Sequence, residues 1–243
     1  MNYSMKKLNY KRYLPLISAL AIVAPTSGNT AGSLYKSGIY TGASVGYTYM
    51  NTKVNDSMDI PGDFTESKKG KGNSHAINGG VFVGYRHFFA NNFFGGLEVE
   101  LAKDNASISK TFHLDEYKAK STLKSSYKFA PTLIMGKQLN ERWLGFVKLG
   151  ISYARFKGSH SLKDPDTDEK TERFKAKKTG LVLGAGAEYA LNANLSTIGS
   201  VTYERFGNIK KQYKNISPVP GEKNTGSFKP SYVTAKIGLA YRF

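Results

Sequence analysis

The chain of 243 residues contains no cysteine, which excludes disulfide bridges, thiolate metal sites and cysteine nucleophiles. It also lacks an internal run of about 20 apolar residues, so a bundle of membrane-spanning helices is excluded. Acidic residues are scarce: the chain has 18 Asp and Glu but 35 Lys and Arg, which gives a formal net charge of +17. Such a basic chain predicts an anionic partner.

Residues 1–31 have the order of a secretory signal peptide. A basic start is followed by an apolar stretch at 13–24 and then by small residues. Two cleavage positions fit, after Gly28 or after Ala31. The sequence therefore predicts export, with residues 32–243 as the mature chain. Export argues against nucleic acid as the anionic partner, so none is predicted.

Short turns rich in asparagine divide the exported chain into four units of similar length. The turns lie at 90–92, 139–142 and 191–194, and Asn suits them because its side chain bonds nearby backbone and it tolerates positive φ. Each unit is predicted to consist of a strand, a long polar segment and a second strand. The eight predicted strands are 39–50, 76–89, 93–102, 123–138, 143–156, 178–191, 195–206 and 229–243. The four polar segments, predicted as loops, are 51–75, 103–122, 157–177 and 207–228.

Apolar residues alternate with small or charged residues in these strands, which is the two-residue period of a sheet with two different faces. In 181–191, Leu181 and Leu183 share one face, whereas Gly184 and Glu188 share the other. Small inward residues fit a narrow barrel. Aromatic residues near the strand ends predict two belts at the interfaces of a bilayer. They are Phe88, Phe89, Phe93, Phe94, Trp143, Tyr189, Tyr241 and Phe243 at one end, and Tyr47, Tyr49, Tyr127, Tyr153, Tyr203 and Tyr232 at the other.

Three stretches carry a resemblance to a known family: 38–47 (GIYTGASVGY), 84–98 (GYRHFFANNFFGGLE) and 236–243 (KIGLAYRF). The chain resembles the small eight-stranded outer-membrane β-barrels of the OmpA-like and opacity types, which include surface antigens. This resemblance implies an all-β, eight-stranded antiparallel up-and-down barrel in a bacterial outer membrane, with both mature termini periplasmic. It also implies that the last strand is read by the barrel-assembly machinery. The residues of that assembly signal are Ile237, Leu239, Tyr241 and Phe243.

The alternation also predicts which charged residues face the lumen. They are five basic and four acidic residues: Arg86, Glu98, Glu100, Lys128, Lys148, Glu188, Glu204, Lys236 and Arg242. Unpaired charges in a narrow lumen are costly, so these residues are expected to form an ion-pair plug that fills the barrel. A second interpretation is a gated polar channel, acting as a narrow porin for small solutes.

The long polar segments are expected to be exposed on the cell surface and to carry any binding. Lys210, Lys211 and Lys214 are predicted to contact lipid phosphates. The predicted partners are outer-membrane lipids, lipopolysaccharide and host surface ligands. The predicted function is therefore structural and interactive: membrane integrity, adhesion or surface antigen.

The sequence predicts no catalytic residue, metal site or cofactor. Ser74 and His75, like His160 and Ser161, are adjacent in the chain, and adjacent side chains on a strand point to opposite faces, so neither pair makes a dyad. A third interpretation, a lipid-modifying outer-membrane enzyme, would depend on His75 or His160.

Overall fold

The computed structural model describes residues 34–60, 64–114, 117–163, 170–213 and 223–243. The predicted signal peptide lies outside these residues. The described chain forms ten strands: β1 (Gly38–Ile60), β2 (Phe64–Phe88), β3 (Phe93–Asp104), β4 (Ser107–Leu114), β5 (Tyr117–Gln138), β6 (Trp143–Lys163), β7 (Lys170–Ala190), β8 (Leu195–Phe206), β9 (Ile209–Tyr213) and β10 (Lys223–Arg242). Within these ranges there is no helix long and apolar enough to cross a bilayer.

Neighbouring strands pair antiparallel, and the sheet closes on itself. Pairing follows the order β1-β2-β3-β5-β6-β7-β8-β10, and β10 pairs back to β1 along a ladder that runs from Tyr40–Arg242 to Asp59–Lys223. The predicted all-β antiparallel barrel is therefore confirmed. Closure satisfies the backbone groups that an open sheet would leave unpaired at its edges.

Ten strands are observed instead of eight, because the predicted strands 93–102 and 195–206 are each followed, after a two-residue break, by a further short strand. β3 and β4 both pair with β5, and β8 and β9 both pair with β10. The first break, at residues 105–106, lies beside a register shift of β5 against β6 between Ser125 and Lys128. Asp104 Oδ1 accepts a hydrogen bond from the N–H of Ala106 at 3.2 Å and stabilises the break. The sequence pattern did not reveal it, because a bulge and its compensating break belong to neighbouring strands.

The prediction that the four polar segments are loops is wrong over most of their described length. The strands continue through them: β2 alone has 25 residues, whereas about 10 tilted residues cross a bilayer. Met50, Val54, Phe156 and Phe228 point into the extended part of the barrel and are fully buried. Burial of these side chains stabilises the extensions. The polar residues between them face outward and make the segments resemble loops.

The predicted short turns are confirmed, and asparagine makes the bonds expected of it. Asn140 Oδ1 accepts hydrogen bonds from the N–H groups two and three residues later, at 3.0 and 2.8 Å. Asn192 Oδ1 does the same at 2.9 and 2.8 Å. Asn92 takes a positive φ of 61°, which Asn tolerates better than most residues.

The outward faces of the strands form an apolar belt around the barrel. Its large exposed side chains include Ile39, Val45, Val81, Leu97, Leu133, Val147, Leu183, Val201, Ile237 and Leu239. Three residues predicted for the aromatic belts instead point into the barrel: Phe88, Phe94 and Tyr232 are 8%, 2% and 0% exposed. The observed register puts Phe94 opposite Phe88 on the inward face, where both rings contribute to the core.

Candidate functional site

Inside the barrel, large aromatic rings lie against glycines of the neighbouring strand: Phe82 pairs with Gly42, and Phe146 pairs with Gly186. A Cβ atom at Gly42 would lie 2.3 Å from the Phe82 ring, and one at Gly186 would lie 2.5 Å from the Phe146 ring. No real Cβ contact is that short, so only glycine leaves space for these rings. Small inward residues therefore fit large inward rings on the other strands.

The charged residues of the lumen form three groups of ion pairs, and the first is centred on Glu188. Its carboxylate accepts hydrogen bonds from Arg86 at 2.5 Å, Arg242 at 2.8 Å and Ser196 at 2.6 Å. Glu188 is only 1% exposed. The Arg86 guanidinium also lies 3.9 Å from the centre of the Tyr40 ring, so this cation is held by a carboxylate and by an aromatic face.

The second group lies further along the lumen and joins four strands, β1, β3, β6 and β10. Lys148 donates to Glu98 at 2.5 Å, and Tyr40 donates to the other oxygen of the same carboxylate at 2.8 Å. Lys236 donates to Glu100 at 2.5 Å. The void between these pairs has a volume of about 20 Å³, which is enough space for about one water molecule.

The third group is centred on Lys128, which lies between two carboxylates. Its Nζ is 3.0 Å from Glu204 and 3.1 Å from Asp104, and it lies 4.4 Å from the centre of the Tyr232 ring. Sequence reasoning missed Asp104, since it ended that strand at residue 102. Asp104 follows Glu98, Glu100 and an inward alanine at the two-residue period, and this signal could have identified it.

Two apolar clusters lie inside the barrel beside these ion pairs. The cluster at the short-turn end comprises Tyr35, Tyr40, Phe82, Phe88, Phe94, Ile134, Leu144, Phe146, Ala190, Ile198 and Ala240. The cluster at the extended end comprises Met50, Val54, Ala106, Ile108, Leu123, Ala154, Phe156, Phe174, Phe206, Ile209, Phe228 and Tyr232. The cluster at the extended end was not predicted from the sequence, because those segments were interpreted as loops.

Residues 16–243 match the sequence profile of a family described as the outer membrane protein beta-barrel domain. The chain belongs to this family. The protein is therefore an outer-membrane β-barrel, and the apolar belt is its lipid-facing surface.

The proteins similar to this chain include two curated outer-membrane proteins and the solved structure of OprG. The 31 kDa outer-membrane immunogenic proteins of Brucella melitensis biotype 1 and Brucella suis biovar 1 are each 26% identical to it over 165 residues. The alignment covers 68% of this chain but only 65% of each relative. The crystal structure of OprG from Pseudomonas aeruginosa aligns with a TM-score of 0.56 at 16% identity, covering 87% of this chain and 98% of OprG. At this identity the likeness to OprG shows a shared fold.

The histidines occupy two different surroundings in the barrel. His75 is on the outside, where Nδ1 lies 2.7 Å from the Tyr47 hydroxyl. His160 is inside, and its Nδ1 lies 2.7 Å from Ser121 Oγ. Ser121 and His160 are 2% and 6% exposed, so they form a buried contact between β5 and β6. The sequence analysis considered only Ser and His residues adjacent in the chain, whereas Ser121 and His160 are 39 residues apart. Across the described ranges, no cluster of three His, Asp or Glu could hold a metal ion.

Two of the three lysines predicted to contact phosphate lie beyond the apolar belt. Lys210 and Lys211 are in β9, in the extended part of the barrel, and Lys211 Nζ is 3.7 Å from Glu172. Lys214 lies outside the described residues. Lys211 therefore already has a carboxylate as its neighbour.

Three residues of the predicted assembly signal share the outward face of β10, and the fourth, Phe243, directly follows its last residue. Ile237, Leu239, Tyr241 and Phe243 are between 47% and 77% exposed. β10 closes the barrel through its pairing with β1. These side chains therefore lie on the lipid-facing surface of the closing strand.

We expect the extended part of the β5–β6 hairpin to lose stability when the pH falls from about 7 to about 4. Burial lowers the pKa of His160 from 6.5 to about 4, so the unfolded segment takes up a proton that the folded segment excludes. The loss begins near the unfolded pKa of 6.5, is complete near the folded pKa, and is on the order of 3 kcal/mol. Amide hydrogen exchange across 157–163, corrected for intrinsic rates, measures it.

His160→Gln is expected to remove this dependence on pH, whereas His75→Gln should retain it because His75 is on the outer surface. An NMR titration that places the pKa of His160 above 6 would contradict the prediction.

Proposed function

We propose that this protein is an outer-membrane surface protein whose lumen is closed by an ion-pair plug, and that it acts structurally and through the hairpins that extend beyond the lipid-facing belt. The observation that carries the proposal is the stacking of three ion-pair groups between two apolar clusters. The same side chains hold strands from all around the ring, and within the described part of the chain they leave no wide polar path.

The charges of the plug balance. Its cations are Arg86, Lys128, Lys148, Lys236 and Arg242, and its anions are Glu98, Glu100, Asp104, Glu188 and Glu204. Each of these ten side chains lies within ion-pair distance of at least one partner of opposite charge. A pore needs polar groups that remain hydrated, whereas these groups bind one another in a ring only wide enough for side chains. We assign the plug no enzymatic role.

Both described ends of the chain lie at the short-turn end of the barrel. Tyr35 donates a hydrogen bond to the Arg142 carbonyl at 2.9 Å, and Asn194 donates one to the Arg242 carbonyl at the same distance. Short turns face the periplasm in barrels of this type. This arrangement supports periplasmic termini and an extracellular position for the extended hairpins.

The extended hairpins are the surface we propose for interaction. They present polar outward faces beyond the lipid-facing belt, and exposed segments on a rigid scaffold are where binding residues are commonly found. The Brucella relatives carry the word immunogenic in their names, which supports a surface-antigen role for the corresponding hairpins here. The partners we propose are outer-membrane lipids with lipopolysaccharide, host surface ligands and, during assembly, the barrel-assembly machinery.

Planar-bilayer recording tests the closed lumen. Folded, heat-modifiable protein is expected to give no open-channel steps, and Glu98→Gln should be equally silent, because neutralising one carboxylate does not widen the lumen. A known porin reconstituted in the same way is the positive control. Steady conductance of the parent, with an ion selectivity that Glu98→Gln alters, would support the narrow porin instead.

A further inference from the structure

We infer that the outer surface of β5, β6 and β7 is a binding site for a phosphorylated membrane lipid. The site consists of a set of exposed cations, here called the basic face, and an apolar groove directly beneath it. The basic face comprises Lys124, Arg155, Lys157, Arg173, Lys175 and Lys177. The inference rests on the proposed orientation, in which the extended strands lie on the extracellular side.

The register of the sheet brings like charges directly opposite one another. Lys124 pairs with Lys157, which pairs with Lys175 on the next strand, and Arg155 pairs with Lys177. Side chains at paired positions are about 5 Å apart, and like charges there are destabilising. Among the described residues, none of the six cations forms an ion pair with a carboxylate. An anion bound across these rows would relieve the repulsion.

The groove beneath the basic face is apolar and has a volume of about 340 Å³. Leu101, Tyr127, Phe129 and Tyr153 form its apolar part, and Arg155 and Lys177 are at its rim. The register shift contributes to it, because Ser126 and Tyr127 of β5 lie opposite Arg155 alone. Such a bulge bends the strand and opens space beside it.

The position of the two parts matches a lipid rather than a free polyanion. Arg155 is two residues beyond Tyr153 on the same outward face, which is about 7 Å along a strand. Tyr153 belongs to the lipid-facing belt, so the first cations lie at the level of the headgroups. Phosphates of an outer-leaflet lipid would meet the cations, and an acyl chain would lie in the groove below.

The opposite side of the barrel provides a matched comparison. Lys53 pairs with both Lys71 and Lys229, so three exposed lysines also form a row there. The row between them and the belt is neutral, because Asn51 pairs with Asn73 and Ser231. On β1, β2 and β10 the like charges therefore lie further from the belt, and the paired residues at the headgroup level are neutral.

Binding of lipid A to the folded full-length protein in neutral detergent, followed by native mass spectrometry, tests the inference. The variant Arg155→Gln/Lys157→Gln/Lys177→Gln is expected to bind about tenfold more weakly or worse, since each cation near a lipid surface contributes to attraction. The control Lys53→Gln/Lys71→Gln/Lys229→Gln removes the same charge and is expected to lose about threefold at most. Equal losses in the two variants would overturn the inference.

Three further probes separate the sources of the anion. Dephosphorylated lipid A, which keeps the acyl chains, should bind more weakly than lipid A. Inorganic phosphate and a sulfated polysaccharide should bind the parent only weakly. Binding of either as tight as that of lipid A would identify a surface for free polyanions and overturn the lipid assignment.

Unfolding of the same variants by urea gives a second readout. Without lipid, the basic-face variant should resist urea as well as the parent or better, because the repulsion is gone. Adding lipid A should stabilise the parent more than this variant. A negative lipid test would not contradict the proposed closed lumen, since bilayer conductance depends on the interior side chains and not on the basic face.

Discussion

Replacing Glu188 by alanine is expected to reduce the free energy of unfolding by about 3–5 kcal/mol, because removing one member of a buried ion pair leaves an uncompensated charge. Glu188 is the only carboxylate that the described structure pairs with Arg86 and Arg242. Both arginines are almost fully buried. Urea unfolding in detergent or vesicles measures the loss, and the fluorescence of Trp143, the single tryptophan, reports it from the position opposite Tyr189.

Two variants show whether the effect comes from charge in the lumen. Glu188→Gln keeps hydrogen-bond acceptance by one oxygen but removes the charge, so it should fall between the parent and Glu188→Ala. Glu141→Ala removes an exposed carboxylate from the neighbouring short turn and should change stability by less than about 0.5 kcal/mol. If Glu188→Ala proves as stable as the parent, the first ion-pair group does not hold the barrel together.

Replacing Lys128 by methionine is expected to cost a similar amount, about 3–5 kcal/mol. The substitution keeps most of the length of the side chain but leaves Glu204 and Asp104 facing each other without a cation. It also removes the charge from the face of the Tyr232 ring. Urea unfolding again gives the magnitude, and loss of heat-modifiable migration on gels gives the fraction that fails to fold.

Neutralising the carboxylates should restore much of this stability. In Lys128→Met/Asp104→Asn/Glu204→Gln the buried charges are gone, and replacing a complete buried ion group by neutral residues is often close to neutral. Lys124→Met is the matched control, because Lys124 is exposed four residues earlier on the same strand. A triple variant no more stable than Lys128→Met would mean that packing around residue 128, rather than charge, limits stability.

In the lumen, the alternation of residue types predicts which charged side chains point inward but not which of them form ion pairs. A two-residue period is a property of one strand, so the pattern could place Arg86 and Glu188 on inward faces. It could not pair them, because they are 102 residues apart in the chain. The pairing of Lys236 with Glu100, which are 136 residues apart, could not be predicted for the same reason. Each pairing depends on the relative shift of several strands.

The extension of the hairpins could not be predicted from the sequence for a different reason. Val54 and Phe174 alternate with polar residues, and in the sequence this dilutes the apolar signal until the segment resembles a loop. Inside the closed ring such residues from several strands meet and bury one another. The apolar cluster that extends the strands is therefore a property of the assembled ring, which no single segment displays.

The sequence by itself determined the two-residue period of the strands, the asparagine turns and the family of the chain, because each of these depends on residues close together in the chain. Only the tertiary structure decided which lumen charges meet, where the chain breaks between β3 and β4, how far the hairpins extend and that cations align across β5, β6 and β7. Each of these depends on the register between strands, and register is set when the whole ring closes and all its ladders must fit at once.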